Sequence, residues 1–321
     1  MKTRAVILLG LVLSSAAPAA AQDYPNHQVN FVVPFAPGGG TDILGRLVGQ
    51  KLSDRFGQSF VIENRPGAGT VNAAVQVSKS APDGHTIMMA TSGTMAMNPT
   101  LYKALPYAPG KDLVLAALIC DVAFALVVNP DLPVKSVADL VKLAKERTLS
   151  YGSGGVGAFH HIMGELFSAQ FGIKMTHVPY RGTLPALNDV IAGHIQLLFA
   201  DLAPAYPLIQ SGKLRVLGLT SNKRVATAPD IAPLAEVGVP GFDWAPWQAV
   251  AVPGGVAPEI RVKLNGAVHA AVAEPDVQKQ LGNLQFIPIG KGSPAELDRF
   301  VATETTRWAK VLQQAGVAGT Q

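Results

Sequence analysis

Residues 29–52 read VNFVVPFAPGGGTDILGRLVGQKL. A β-branched, apolar run opens the stretch and a loop rich in proline and glycine follows it. Apolar residues then recur at spacings of three and four: Ile43, Leu44, Leu47, Val48 and Leu52. This order is typical of a strand, a tight loop and an amphipathic helix, and Thr41 is placed to cap the helix. The unit therefore predicts α/β architecture with parallel strands.

The same alternation continues along the chain, with helical patterns between most of the strand-like runs. Those runs are SFVIEN, HTIMMAT, LVLAALI, AFALVVN, LSYGS, KMTHVPY, IQLLFAD, LRVLGLT, AVAVP and QFIPI. Two stretches are candidates to cross between two lobes: the extended run 113–129 and the glycine-proline stretch 238–241. A C-terminal helical stripe is expected to pack on the first lobe: Leu297, Phe300, Val301, Trp308 and Leu312.

Composition and charge exclude several classes of protein. The 321 residues are 48% hydrophobic and 15% charged, which indicates a folded chain with a large core rather than a disordered one. The formal charge is +4, and no basic cluster with interleaved aromatic residues occurs, so we exclude DNA and RNA as partners. The single cysteine, Cys120, rules out an intrachain disulfide and is expected to be a buried hydrophobe.

The first 21 residues have the pattern of a secretory signal peptide. Lys2 and Arg4 precede an apolar run, and small residues lead to Ala21. The strongly apolar stretch has only about nine residues, whereas a membrane-spanning helix needs about 20. We expect cleavage after Ala21, an exported protein that begins at Gln22, and a nearly neutral balance of charge in the remaining chain.

Three junctions between a strand and a helix combine glycine with hydroxyl residues. Backbone N–H groups at a helix N-terminus attract anions, and glycine lets a ligand approach the main chain closely. The alternative is that these glycines only make tight turns. Because ligands of open α/β sheets bind at the carboxyl ends of strands, we favour a site for a carboxylate. The candidate residues are Pro37, Gly38, Gly39, Thr41, Asp42, Thr91, Ser92, Ser153, Gly154, Gly157 and Ala158.

The pattern Gly152-x-Gly154-x-x-Gly157 also matches a dinucleotide-binding loop, but the next strand ends in Tyr180 and Arg181 instead of an acid that would bind ribose. We therefore predict no cofactor. Ser153 lacks the surroundings of a nucleophile elbow.

Histidine and glutamate residues offer no metal-binding spacing either. His161 and Glu165 share a helix face without the H-E-x-x-H pattern, so a partly buried histidine with satisfied hydrogen bonds is the preferred interpretation. We predict no metal site and no catalytic residue, and therefore no enzyme.

Six ordered motifs carry a resemblance to a known family. The sequence is similar to the Bug receptors, the TctC-type substrate-binding proteins of tripartite tricarboxylate transporters, over nearly all of the mature chain. The motifs are VPFAPGGGTDILGR, ENRPGAG, PDGHT, YGSGGVGAFHHIMGELF, HVPYRGTLPALNDVIAGHIQLLF and SGKLRVLGLTS. The sequence departs from the family at Gly40, at Gly45 and at Ala158, where the family often has serine.

The resemblance implies a bilobal periplasmic binding protein of type II fold, with two Rossmann-like lobes joined by two crossing strands. The expected boundaries are 1–21 for the signal peptide, 22–122 and 240–321 for the first lobe, and 123–239 for the second lobe. It implies a monomer in the periplasm that closes on a small carboxylate and delivers it to a membrane permease. Besides the loop residues above, it adds Tyr180, Arg181 and Asp201 to the predicted ligand site.

Several alternatives stay open at this level. Arg181 is either a partner for a second carboxylate or a surface charge, and Trp247 either lines the cleft or packs near the return crossing. A receptor that presents its closed form to a membrane sensor has the same sequence pattern. An exported hydrolase that uses Ser153 or Ser92 is the remote alternative. The identity of the carboxylate is not determined.

Overall fold

The computed structural model describes residues 24–180 and 182–321, so the predicted signal peptide and Arg181 lie outside the described residues. The described chain forms two mixed β-sheets with helices between the strands, which confirms the α/β fold class. The strands are β1 (Val29–Val33), β2 (Phe60–Asn64), β3 (Thr86–Thr91), β4 (Leu113–Val122), β5 (Phe124–Val128), β6 (Leu149–Ser153), β7 (Met175–Pro179), β8 (Leu197–Asp201), β9 (Arg215–Leu219), β10 (Trp247–Pro253) and β11 (Phe286–Pro288).

The helices follow the strands in the manner that the sequence predicts. They are α1 (Gly40–Phe56), α2 (Val71–Ser78), α3 (Asn98–Leu101), α4 (Val137–Glu146), α5 (Phe159–Phe171), α6 (Thr183–Ile191), α7 (Leu202–Gln210), α8 (Pro258–Val272), α9 (Pro275–Asn283) and α10 (Pro294–Gln314). A 3₁₀ turn (Ala68–Thr70) precedes α2, and a π-helical turn (Gly93–Met97) precedes α3. None of the helices in these described ranges is both long and apolar enough to cross a membrane.

Both sheets are built on the same plan. The first has the strand order β11-β4-β10-β3-β1-β2, and the second has the order β7-β6-β8-β5-β9. In each sheet three strands with helical connections run parallel, namely β1, β2 and β3 in the first and β6, β7 and β8 in the second. In each sheet one antiparallel strand lies next to this parallel group and has a further strand on its other side. This strand is β10, between β3 and β4, in the first sheet and β5, between β8 and β9, in the second.

The chain crosses between the sheets twice. β4 of the first sheet and β5 of the second are separated by Ala123 alone, as the continuous apolar run predicts. The chain returns through residues 220–246, which include the predicted crossing at 238–241. β4 runs parallel to β3, and the start of β5 pairs with the end of β8. The crossing at Ala123 therefore joins the carboxyl edges of the two parallel groups.

Helix α10 covers the first sheet as expected, because it packs on β4 and on the π-helical turn. Its predicted stripe is buried at Leu297, Trp308 and Leu312. Cys120 is fully buried in β4, which confirms its interpretation as a core residue.

Two expectations for α1 are wrong. Ile43 is 43% exposed although Leu44 beside it is buried. Thr41 does not cap the helix, because α1 already begins at Gly40 with Gly39 in the N-cap position. Because Gly39 has the extended backbone of an N-cap residue, the helix begins two residues before the position that a cap at Thr41 would give. Thr41 therefore lies inside the first turn.

Candidate functional site

Two loops lie at the carboxyl edges of the two groups of parallel strands. We call residues 34–39, between β1 and α1, the first loop, and residues 154–158, between β6 and α5, the second loop. Thr91 ends β3 in the first sheet and Asp201 ends β8 in the second. Gly157 of the second loop lies beside Leu101, which belongs to the segment after β3. The structure thus brings the predicted loop residues to the carboxyl edges that the crossing at Ala123 joins.

The first loop is supported by a buried carboxylate. Asp42, 2% exposed, accepts hydrogen bonds at Oδ2 from the Gly38 amide (2.9 Å) and from Nε of Arg46 (3.0 Å). Its Oδ1 accepts from Arg46 (3.0 Å) and from the Asn64 amide (2.8 Å). Burial raises the pKa of Asp42, but these hydrogen bonds and the charge of Arg46 outweigh burial and hold that pKa below its usual value. Both carboxylate oxygens are therefore occupied within the protein, and Asp42 fixes the loop.

The backbone at the start of α1 remains open to a ligand. Gly39 occupies the N-cap position, and no side chain caps the helix. The amides of Gly40 and Thr41 lie in the first turn, where a helix offers no acceptor of its own. Pro37, Gly38 and Gly39 are exposed. Gly38 has φ +86°, a backbone conformation that favours glycine. The start of α1 therefore presents the N–H donors of Gly40 and Thr41 and the positive end of the helix dipole at the carboxyl edge of the first sheet.

A glutamine that the sequence analysis missed lies next to this helix start. Gln248, the second residue of β10, is 5% exposed and pairs across the sheet with Thr91. Its Nε2 donates to the hydroxyl of Thr41 (2.8 Å), whereas its Oε1 is buried without a hydrogen-bond partner. The only signal in the sequence was a polar residue inside the apolar run WQAVAVP.

Hydroxyl groups fix the end of β3. The Thr91 hydroxyl accepts from the amide of Thr94 (3.2 Å), and the buried Thr94 hydroxyl donates to that of Thr70 (2.9 Å). Asn98 donates to the carbonyl of Gly69 (3.0 Å). Thr70 has φ +81°, an uncommon conformation for threonine. Ser92 is 1% exposed. Thr91 therefore supports the turn that follows β3.

The second loop is supported by a buried hydroxyl. Ser153 is fully buried, and its hydroxyl donates to the carbonyl of Gly155 and accepts from the amide of Gly155, each at 3.0 Å. The same oxygen lies 2.6 Å from Nε2 of His177 on β7. Burial and the neighbouring His161 lower the pKa of His177 to about 4. Ser153 holds the loop in shape and has no exposed surface from which to attack a substrate.

Two stacked imidazoles complete that support. The ring of His161 stacks on that of His177 with 4.0 Å between centroids, and its Nδ1 accepts from the amide of Gly157 (3.1 Å). Burial lowers the pKa of His161. Glu165 lies 3.9 Å from Nε2 of His161 and accepts a short hydrogen bond from the hydroxyl of Tyr151. His161 is buried and its ring is hydrogen-bonded at Nδ1, in line with the prediction, whereas Nδ1 of the neighbouring His160 is buried without a hydrogen-bond partner among the described residues.

The start of α5 resembles the start of α1 in its backbone. Ala158 occupies the N-cap position without any side-chain cap, and its own amide donates to the carbonyl of Gly155 (3.2 Å). The first-turn amides of Phe159 and His160 have no intrahelical acceptor. Gly157 has φ +77° and its amide is bonded to His161, so the free donors belong to the helix and not to Gly157.

Asp201 forms a cluster with His160 and Thr183 beside the second loop. Nε2 of His160 lies 3.0 Å from Oδ2 of Asp201 and 2.9 Å from the Thr183 hydroxyl, which donates to the same carboxylate. Partial burial raises the pKa of Asp201, but the attraction of His160 and these hydrogen bonds hold it below its usual value. The Asp201 side chain is 31% exposed. An anionic group therefore faces solvent near the second loop, and the first loop has no such exposed group.

Tyr180 and Trp247 have packing partners of their own. The Tyr180 hydroxyl donates to Asp189 of α6 (2.7 Å), and burial together with this bond raises the pKa of Tyr180 to about 12. Trp247 is 2% exposed, donates to Glu304 of α10 (3.1 Å) and packs on Phe300. Of the two roles left open for Trp247, the structure shows the packing one.

Within the ranges that the structure describes, no group of three or more His, Cys, Asp or Glu side chains is arranged to hold a metal ion. The candidate site combines backbone amides at two helix starts with hydroxyl and amide side chains, and the Asp201 carboxylate lies beside the second loop. Backbone amides and hydroxyls of this kind hold a small anion by hydrogen bonds.

Residues 44–317 match the family model described as "Tripartite tricarboxylate transporter family receptor", and the chain belongs to this family. Protein BugT of Bordetella pertussis is 32% identical over 320 residues, covering 98% of each chain. The solved structure of R. palustris Rpa4515 with adipate is 39% identical, covers 92% of this chain and 99% of that one, and has a TM-score of 0.84. MatC from Rhodopseudomonas palustris with bound malate is 31% identical, covers 90% of this chain and all of that one, and has a TM-score of 0.79. The family and fold are thus those of periplasmic solute-binding proteins.

Proposed function

We propose that the protein captures a small carboxylate between the two carboxyl edges. One observation carries this proposal: α1 and α5 both start at a glycine-containing loop, and neither start has a side-chain cap. Their first-turn amides and dipoles attract an anion from opposite sides. The adipate and malate that Rpa4515 and MatC hold support a carboxylate as the ligand.

We propose further that the two sheets are the centres of two lobes that close on the ligand. The lobes comprise 22–122 with 240–321, and 123–239. The two crossings meet near the ion pair between Lys223 and Asp121 (2.5 Å), which ties the return segment to the end of β4. Closure about a few residues at such crossings is a common response of binding proteins to ligand.

Delivery to a permease of the tripartite tricarboxylate type is part of the same proposal, as is export to the periplasm with cleavage after Ala21. The family description supports the transporter role. Action as a monomer without cofactor, and without catalysis, completes the proposal. In the sensor alternative, the closed form binds a membrane sensor, and a pull-down of membrane partners with and without ligand separates the two roles.

Thermal unfolding against a panel of C3 to C6 organic acids and acidic amino acids tests carboxylate capture. A ligand at about 100 times its Kd stabilises the folded protein by about 2.7 kcal/mol, which raises Tm by a few degrees at this size. The same acid should compact the protein in solution scattering. No shift in Tm with any carboxylate contradicts the proposal.

The variant Gly39→Asp tests whether the start of α1 is the anion site. The new carboxylate caps the helix by accepting from its first-turn amides and repels the ligand, so the ligand-induced rise in Tm should vanish while the ligand-free protein keeps its stability. Ser59→Asp, an exposed change of equal charge at the far end of β2, is the matched control and should retain the full shift.

A further inference from the structure

Gln248 brings the start of α1 and the ends of two strands to one point. Its backbone pairs with Thr91 at the end of β3, and its side chain reaches the Thr41 hydroxyl in the first turn of α1. Side chains of directly paired residues share one face of a sheet. The amide of Gln248 therefore lies next to the first-turn N–H groups of α1, those of Gly40 and Thr41. These are the groups proposed to bind the carboxylate.

The carbonyl oxygen of this amide accepts no hydrogen bond within the described residues. Gln248 is 5% exposed, and Oε1 is a buried oxygen without a hydrogen-bond partner among the described residues. Burying an acceptor without a partner is costly, and native proteins rarely leave one unsatisfied. The neighbouring hydroxyls do not supply a donor: that of Thr41 lies on the Nε2 side of the amide, and that of Thr91 lies 3.2 Å from the Thr94 hydroxyl.

We infer that Gln248 is a specificity-determining residue, whose Oε1 accepts a hydrogen bond from a donor on the carbon next to the bound carboxylate. Resting on the proposed function, this inference narrows the ligand class to 2-hydroxy or 2-amino acids. A carboxylate held at Gly40 and Thr41 places its neighbouring carbon close to Oε1, because Thr41 itself contacts the Gln248 amide. A ligand with a bare methylene at that carbon leaves the oxygen unpaired and loses affinity.

The test is calorimetric titration of the purified protein with two matched sets of acids. The sets are succinate with malate, and glutarate with 2-hydroxyglutarate, glutamate and 2-oxoglutarate. We expect the hydroxy or amino acid to bind about tenfold more tightly than its unsubstituted partner, as expected for a hydrogen bond that also relieves a buried acceptor.

In Gln248→Leu, this ratio should fall to within about twofold, while the exposed control Gln313→Leu keeps it. The leucine variant is expected to fold, since it removes a buried acceptor that nothing satisfies. The comparison among ligands with the unaltered protein tests the inference even if the variant does not fold.

The outcomes separate this inference from the proposed function. Equal affinity for substituted and unsubstituted acids overturns the inference and leaves carboxylate capture standing. Preference for 2-oxoglutarate overturns it as well, because an oxo group needs a donor and the Gln248 amide would then present Nε2. Failure of every acid in both sets to bind contradicts the inference together with the proposed function.

Discussion

The first and second loops have the same backbone role but opposite kinds of support. In the first loop a buried, ionised carboxylate, Asp42, binds the Gly38 amide and is itself paired with Arg46. In the second loop a neutral hydroxyl and imidazoles do the equivalent work, since Ser153 binds Gly155 and His161 accepts from Gly157. Two helix starts that attract an anion can thus be held by charge or by neutral hydrogen bonds. The kind of support, charged in the first loop and neutral in the second, determines how the stability of each loop responds to substitution and to pH.

The largest expected difference lies in how closely each helix packs on its strand. A Cβ at Gly164 of α5 would lie 2.2 Å from the ring of Tyr151, whereas one at Gly45 of α1 would lie 2.8 Å from a methyl group of Val33. The rigid, buried ring has less freedom to move than the methyl group. We expect Gly164→Ala to lower the free energy of unfolding by about 3 kcal/mol and Gly45→Ala by about 1 kcal/mol.

Chemical denaturation of both variants measures the two changes. Alanine gains helix propensity equally at each position, so each variant is the control for the other. Equal losses would show that α1 and α5 pack on their strands equally closely, which contradicts the expected difference.

The next effect concerns the charged support of the first loop. Asp42→Asn replaces a carboxylate oxygen by an NH₂ group that cannot accept from Gly38 or Arg46. We expect a loss of about 2 kcal/mol in the free energy of unfolding and a weaker ligand-induced rise in Tm. Ser153→Ala in the second loop removes neutral bonds only and should cost about 1 kcal/mol.

Asp54→Asn is the matched control on the same helix, because Asp54 is exposed and, among the residues that the structure describes, accepts only from Gln50 (2.8 Å). Its expected effect is below about 0.5 kcal/mol. If Asp42→Asn is as mild as this control, the carboxylate does not support the first loop.

The smallest effect is a difference in pH response. Burial lowers the pKa of both His161 and His177, the latter to about 4, so the unfolded chain binds their protons more tightly than the folded protein. Stability from the second loop is therefore present above about pH 6.5 and is lost as pH falls toward about 4. Linkage gives at most about 3 kcal/mol for His177 alone, and solvent screening of this partly buried ring reduces the expected loss to the order of 1 kcal/mol. The pKa of Asp42 is lowered, so its contribution to the free energy of unfolding is lost only when the pH falls below the usual pKa of an aspartate.

Free energies of unfolding between pH 7 and pH 4 measure this difference. In His177→Gln the curve should be flatter over that interval, because one of the groups that takes up a proton on unfolding is gone. If the free energy of unfolding of the variant depends on pH as steeply as that of the unaltered protein, His177 does not cause the pH dependence. Glu165 faces the same pair and attracts protons to His177, which opposes the effect of burial.

Much of the fold could be predicted from the chain because periodicity and glycine position act locally. The strand, loop and helix of residues 29–52, the crossing before Phe124 and the burial of Cys120 all follow from patterns within a few residues. The start of α1 was misplaced because Gly39 adopts the N-cap conformation without any capping side chain.

The candidate site was harder to predict than the fold. Its glycine loops are visible in the sequence, but only the contacts reveal which of their amides are bonded within the protein. Gly38 and Gly157 donate to Asp42 and His161, and Gln248 arrives from a strand more than 200 residues beyond Thr41. Arg181 lies outside the described residues, and its role stays a prediction.

The α/β class, the alternation of strands and helices, and the family can all be read from the sequence, because they depend on local propensity and on ordered motifs. Which groups meet across the sheets is visible in the folded chain alone: the Ser153–His177 contact, the Asp201 cluster and the unpaired oxygen of Gln248. Hydrogen bonds between distant segments depend on strand order and side-chain direction. Neither of these is encoded in any short stretch of the chain.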